Sequence, residues 1–253
     1  MGEASLSGFA LRVVGFDTAT DDTVVAAADA GRIVFERVFP PDGRPVHSQA
    51  LLGAAGEAAE SLGGWDRVER IAAGIGPGTF TGIRIGVATA AGLAASTGIT
   101  PVGVPTLSAL ARSIGAAIAG AGMVMPLIDA RRGEVFGGLH DGEGNPLEDP
   151  FVCGPVELVE RLQEIASRRS LPISAGPGAI RFRSELLRAG LETEPDGSPV
   201  HRLAGRSLCE LGASLEATGP ETLKPLYLRI PDAQLWLERD GKTDHRTGTS
   251  GRG

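Results

Sequence analysis

Cysteine is nearly absent from this chain. Cys153 and Cys209 stand alone, far apart and outside any C-x-x-C spacing. That excludes a disulfide scaffold and a zinc knuckle, fits a reducing compartment, and leaves two buried small hydrophobes as the expected reading. Aromatic residues make up only 4% of the chain, so Ala, Val, Leu and Ile must build the core, which suits parallel strands covered by closely packed helices. Basic charge is also lacking. The formal net charge is −7, and no cluster of Lys and Arg interleaved with aromatics occurs, so a free-standing nucleic-acid footprint is not present. The longest apolar run, residues 116–128, is broken by glycines and a proline and is too short to span a bilayer. The opening stretch "MGEASLSGFALRVVGFD" does not have the basic start, apolar centre and small-residue cleavage site of a signal peptide. A soluble, cytoplasmic protein without membrane contact is expected.

Catalytic signatures are missing too. His47, His140, His201 and His245 form no H-x-x-x-H pair, and no serine lies in G-x-S-x-G, so neither a metal site nor an acyl-transfer nucleophile is legible. His47 beside Ser48 could be a dyad, but a serine at a predicted helix start reads first as an N-cap.

What is present is an alternation of strands and helices. With 253 residues the chain is long enough for one large domain or two small ones, burying roughly three quarters of its unfolded surface. "LRVVGFD", "TVVAAAD" and "GRIVFERVF" read as a three-strand meander, and "HSQALLGAAGEAAESLGG" as a helix. "RVERIAAGIG" supplies a fourth strand, residues 81–97 a second helix and "ITPVGV" a fifth strand. The order is β-β-β-α-β-α-β. After the helix "TLSALARSIGAAIAG" a comparable pattern starts again, with "GMVMPLIDARRGEVFG" as its hairpin, "GPVELVERLQEIASRR" as a helix and "LPISAG" as a strand. "AIRFRSELLRAG" and "LAGRSLCELGASLEAT" read as two further helices. The expected division is an N-terminal lobe over 1–105, a related C-terminal lobe over 106–219, an extended segment over 220–238 and a disordered tail over 239–253.

The loop "GIGPGTFTGIRIG" holds five glycines in thirteen positions. A strand, glycines and a helix N-terminus are the recipe for an anion site. Yet Ile83 and Arg84 follow Gly82 where a phosphate loop needs Lys and Ser or Thr, and no Asp or Glu occurs between Glu69 and Asp129 to hold a ribose. Phosphate or nucleotide contact by Asp17, Gly76, Gly78, Thr79, Arg84 and Asp129, at an interface with a partner, stays open, because Asp17 and Asp129 end the first strand of each half and could orient a phosphate-bound metal. A turn-capping role for both acids is equally open. The helix beyond the loop carries a stripe of Gly82, Gly86, Ala90 and Ala94, flanked by Ile83 and Val87. The stripe faces either the protein's own sheet or a partner helix. Since Arg84 is the helix's one charge, burial on both sides is expected, and the partner reading makes Phe80, Gly82, Ile83, Gly86, Val87, Ala90 and Ala94 an interface.

"GIGPGTFTGIRIGVATAAGLA", together with "FDTAT", "HSQALL", "VGVPTLSALA", "PLIDARRGEVF" and "KPLYLR", resembles the TsaB family over about residues 11–237. The resemblance implies an α/β, two-lobed actin-like ATPase fold of the sugar kinase, Hsp70 and RNase H kind. It implies a non-catalytic subunit that dimerises with TsaD in threonylcarbamoylation of adenosine 37 of ANN-decoding tRNAs, with TsaE joining and a homodimer when alone. ATP and a metal would then be used by the assembled complex and no cofactor by this chain; tRNA would be met only through the complex. Where the catalytic relative carries a histidine pair, Thr106 and Leu110 stand in this chain, so metal-assisted transfer does not carry over. An autonomous ATPase or small-molecule kinase of the same fold is the alternative. A peptidase would need a nucleophile or metal site not found here.

Overall fold

The computed structural model describes residues 10–217 and 219–229. The expected tail at 239–253, and the part of the extended segment beyond 229, lie outside the described residues. Strand β1 (Arg12–Asp17) pairs antiparallel with β2 (Thr23–Asp29), which pairs antiparallel with β3 (Arg32–Phe39). Helix α1 (His47–Ser61) crosses to β4 (Arg70–Gly74), parallel to β1, and α2 (Phe80–Thr97) crosses to β5 (Thr100–Val104), parallel to β4. The sheet order is β3-β2-β1-β4-β5. Helix α3 (Thr106–Ala117) then leads into the second sheet.

The second half repeats the first five elements, β-β-β-α-β. Strand β6 (Met123–Arg131) pairs antiparallel with β7 (Glu134–Gly137), β7 with β9 (Phe151–Cys153), and β6 pairs parallel with β10 (Ile173–Ala175), in the order β10-β6-β7-β9. The short β8 (His140–Asp141) returns onto the start of β6. Helix α4 (Pro155–Arg168) occupies the place of α1. Among the described residues nothing repeats β5: α5 (Pro177–Arg181), α6 (Arg183–Arg188) and α7 (Gly205–Ser214) follow instead. This is an α/β fold of two RNase H-like lobes, the actin-like ATPase architecture.

Alternation along each strand explains its burial. In the first sheet Val14, Phe16, Val25, Ala27, Ile71 and Ala73 face a core shared with α1 and α2. Val13, Val24, Ala26, Ala28 and Ala72 face the opposite core, which runs without a break through α7 and α3 to Val124, Ile128 and Phe136 of the second sheet. A strand buried on both faces needs continuous apolar sequence, which "RVVGFD" and "TVVAAAD" supply. The far face of the second sheet packs on α4, α5 and α6 through Leu158, Leu162, Ala179 and Leu186.

Packing crosses the expected lobe boundary. Helix α7 lies within 106–219 by sequence but rests on β1, β2 and β4 of the first sheet. Small residues make this possible: a Cβ added at Gly212 would stand 2.3 Å from the Ala72 Cβ, and one at Gly205 2.5 Å from the Ala26 Cβ.

Three boundaries differ from expectation. Helix α1 begins at His47 behind Val46, and no side chain caps it, so Ser48 is not the N-cap. The single helix expected around 179–190 is divided at Phe182 (φ −102°, ψ 24°). Helix α7 stops at Ser214, with Leu215 extended, because Arg70 Nη1 donates to the carbonyls of Gly212, Ala213 and Leu215 at 3.0, 2.9 and 2.9 Å. A guanidinium at a helix C-terminus satisfies the orphan carbonyls and complements the dipole.

Two glycine substitutions separate packing from helix propensity. Gly92 has nothing within 4 Å of an added Cβ, so Gly92→Ala is expected to raise unfolding free energy by about 0.5–1 kcal/mol. Gly212→Ala is expected to lower it, by about 1–3 kcal/mol of overpacking. Urea midpoints at constant m-value measure both.

Candidate functional site

The glycine loop is built against the turn that follows β1. Asp17 is 1% exposed. Its Oδ1 accepts the Ala19 N–H at 2.7 Å and its Oδ2 accepts the Thr106 hydroxyl at 2.7 Å. The same hydroxyl accepts the Gly76 N–H at 3.1 Å, and the Thr106 N–H donates to the Gly76 carbonyl at 2.8 Å. The Gly76–Pro77 bond is cis. Burial pushes the Asp17 carboxyl above the usual carboxylate range, against the hydrogen bonds from Thr106 and Ala19.

Close approach explains the glycines. A Cβ at Gly74 would lie 1.8 Å from Asp17 Oδ2, at Gly78 2.2 Å from the Ala19 carbonyl oxygen, and at Gly82 1.9 Å from the Thr18 carbonyl oxygen. The Thr79 N–H donates to the Ala19 carbonyl at 2.7 Å, and Thr18 Oγ1 donates to the Gly82 carbonyl at 2.7 Å. The loop donors at Gly76 and Thr79 are thus used by the protein itself.

A cleft of about 460 Å³ does open between the lobes, lined by Asp21, Asp22, Thr79, Asp129, Arg131 and Arg202 among others. Of the expected phosphate contacts it includes Thr79 and Asp129, not Asp17, Gly76, Gly78 or Arg84. The tips of the two hairpins are tied across it. Arg131 Nη2 donates to Asp21 Oδ2 at 2.7 Å, and Asp129 Oδ2 accepts from Arg131 Nη1 at 3.3 Å and Arg181 Nη1 at 3.1 Å. Arg131 and Arg132 take left-handed φ of 64° and 55° in the turn before Gly133, which aims this turn at the first lobe. Half-exposed pairs of this kind contribute about 0–1 kcal/mol each.

Thr106 and Leu110 are 0% and 1% exposed: the first holds Asp17, the second packs in the central core. No group of three His, Cys, Asp or Glu among the described residues could hold a metal ion. His47 is buried with Nδ1 2.8 Å from Thr23 Oγ1, while Ser48 is exposed; the histidine supports the β2 end and forms no dyad. Cys153 and Cys209 are both buried, and burial pushes the Cys153 thiol to about 11 and raises that of Cys209 further.

The small-residue stripe is turned inward. Gly82, Ile83, Gly86, Val87, Ala90 and Ala94 are all buried in the protein's own core; an added Cβ at Gly86 would meet Thr18 Oγ1 at 2.7 Å. This corrects the interface expected there. Of those residues only Phe80 keeps partial exposure. The outward side of α2 carries a second series of small residues that the inward one obscured: Ala88, Gly92 and Ala95, all exposed, with Thr81 and Arg84 at its start. Beside it α1, packed against α2, presents Leu52 at 62% exposure, and added Cβ atoms at Gly53 and Gly56 would meet nothing within 4 Å.

Two actin-like lobes, a cleft between them tied by ion pairs, and a glycine loop whose Gly76 and Thr79 N–H groups bond the protein's own chain place it in the actin-like fold class. A family model described as "TsaD: tRNA N6-adenosine threonylcarbamoyltransferase" matches residues 34–166. The tRNA threonylcarbamoyladenosine biosynthesis protein TsaB of Escherichia coli K12 is 29% identical over 92% of this chain and 100% of that protein. The Bacillus subtilis protein of the same name is 30% identical over 68% of this chain and 74% of its own length. The solved structure of YeaZ from Pseudomonas aeruginosa superposes with a TM-score of 0.66 at 25% identity, covering 86% of this chain and 100% of that one. The chain belongs to the TsaB family.

Two outcomes check this site. Ala90→Leu, at a position 0% exposed, is expected to lower folding stability by about 1–3 kcal/mol, seen as an earlier melting transition. For Asp17 the sign follows from its raised pKa: the folded state keeps the proton to higher pH than the unfolded chain, so its contribution falls as pH rises from the ordinary carboxylate range through the folded value. Urea unfolding between about pH 4 and pH 7 should show the parent losing stability relative to Asp17→Asn; equal slopes would contradict the buried, protonation-prone carboxyl.

Proposed function

We propose that this chain is a non-catalytic subunit in tRNA threonylcarbamoyladenosine biosynthesis, docking a TsaD-type threonylcarbamoyltransferase through the outer face of α1 and α2. One observation carries the reading. The outward series Ala88, Gly92 and Ala95, with Leu52 exposed on the neighbouring α1, leaves a strip of small and apolar side chains uncovered on the solvent side of the two helices. A surface of small side chains lets a partner helix approach closely and gain dispersion contacts. The names of the relatives supply the pathway, and the family match to the transferase supplies the partner's class.

The internal use of Asp17, Thr106 and the loop amides supports the non-catalytic role. In this reading ATP and a metal ion belong to the assembled complex, TsaE joins it, tRNA is met through it, and the chain works in the cytoplasm. The same face would close a homodimer when the partner is absent. The alternative, an autonomous ATPase or small-molecule kinase, draws on the interlobe cleft with Asp129 and Arg131. ATP turnover by the chain alone, abolished by Asp129→Ala, would favour it.

The test uses the cognate TsaD-type protein and calorimetric titration. Ala88→Arg is expected to weaken binding at least about tenfold, equivalent to about 1.4 kcal/mol. Its melting temperature should stay close to the parent's, because exposed substitutions shift stability by about 0.5 kcal/mol or less. Parent-like binding by Ala88→Arg would remove this face as the docking surface.

A further inference from the structure

The outer face of α2 carries a single charge. From Phe80 to Thr97, Arg84 is the one ionisable side chain, and it lies exposed between Thr81 and Ala88. Its guanidinium is held in place. The central carbon stands 3.7 Å from the centroid of the Phe80 ring, and Nε donates to the Tyr227 hydroxyl at 3.0 Å. The two rings pair at 5.2 Å between centroids. Tyr227 comes from the far end of the described chain, where the Leu226 N–H donates to the Ile75 carbonyl at 2.7 Å and Leu223 is buried in the first lobe.

Three features make this arrangement informative. Most arginines here are ion-paired, as Arg37 is with Glu57 and Arg112 with Glu210, whereas Arg84 has no carboxylate partner among the described residues. With Nε given to Tyr227, the two terminal nitrogens remain as donors. A planar guanidinium stacked on one aromatic ring and bonded to the hydroxyl of another side chain also loses less freedom when it binds than a free side chain does.

If a partner covers this face, Arg84 is covered with it. Burying an unpaired guanidinium costs several kcal/mol, while a carboxylate meeting its terminal nitrogens forms short, charge-assisted hydrogen bonds. We infer that the partner presents one Asp or Glu carboxylate to Arg84, and that Phe80 and Tyr227 hold the guanidinium plane for it. The inference rests on the reading of the α1/α2 face as the TsaD-type docking surface. The surroundings favour a single carboxylate over a phosphate: α1 and α2 carry no second Lys or Arg, so a doubly charged phosphate would meet one cation on these helices. Arg84 thereby acts as a specificity determinant, fixing the register of a contact that small side chains alone leave free to slide.

The experiment titrates the full chain, without ATP, into the cognate TsaD-type protein. Arg84→Glu is expected to weaken binding at least about tenfold with an unchanged melting temperature, and Arg84→Lys, which keeps the charge but not the planar fork, falls between parent and Arg84→Glu. Replacing the partner's surface acids by Arg one at a time should reveal one that restores binding to Arg84→Glu. Parent-like binding by Arg84→Glu while Ala88→Arg fails to bind would overturn the carboxylate inference and leave the docking face standing. Parent-like binding by both would remove the face itself. A loss with Arg84→Glu that no partner acid rescues would overturn the inference, and a loss that arises only when ATP is added would overturn it by assigning the anion to a nucleotide phosphate.

Discussion

Everything in the first lobe depends on the contact between the Asp17–Ala19 turn and the glycines of the loop and of α2. Gly74, Gly78, Gly82 and Gly86 each stand where a methyl group would overlap this turn, so the turn sinks into the loop and the start of the helix. The Ala19 carbonyl then takes the Thr79 N–H and Thr18 takes the Gly82 carbonyl. Asp17 is desolvated as a consequence, and Thr106 must reach it from the start of α3 to satisfy its second oxygen. A buried carboxyl without such partners would cost several kcal/mol. One steric fit thus joins β1, β4, α2 and α3.

The same fit sets which way α2 faces. Because Gly82 and Gly86 are held by the turn, the helix must bury the face that continues through Ala90 and Ala94. Ala88, Gly92 and Ala95 are left outside. The 219–229 segment then closes over the start of α2: Leu226 anchors on Ile75, Tyr227 meets Arg84, and Arg229 reaches Glu134 of the second lobe at 2.6 Å. Here the Thr79 N–H holds the protein's own turn and the Gly76 N–H holds Thr106, while the helix beyond carries small side chains on its outer side.

The second lobe is held to the first by the crossing of α7 onto the first sheet and its packing against α3. Helix α7 lies on the first sheet and α3 on the second, with one apolar cluster running through both. The ion pairs at the cleft mouth are half-exposed and add little energy; the shared core between α3 and α7 is the dominant link, since buried apolar area contributes about 25 cal/mol per Å².

Local pattern was enough for much of this. The apolar runs ending in acids, the helix spacing of residues 47–64 and 81–97, and the turn glycines determined the strands, the β-β-β-α-β-α-β order and the repeated hairpin, because alternation and the 3.6-residue period are properties of neighbouring residues. The ordered motifs from "FDTAT" to "KPLYLR" determined the family. Three matters were decided only by tertiary structure. Small residues occur on both sides of α2, so its sequence is symmetric with respect to the choice of inner face, and only the glycine contacts with Thr18 break that symmetry. Asp17 and Asp129 look alike as strand-end acids, yet one is buried by Thr106 and the other opens on the cleft, a difference made by a residue 89 positions away. The end of α7 at Ser214 depends on Arg70, 142 positions from Gly212. Each is a contact between residues distant in the chain, and no local propensity encodes it.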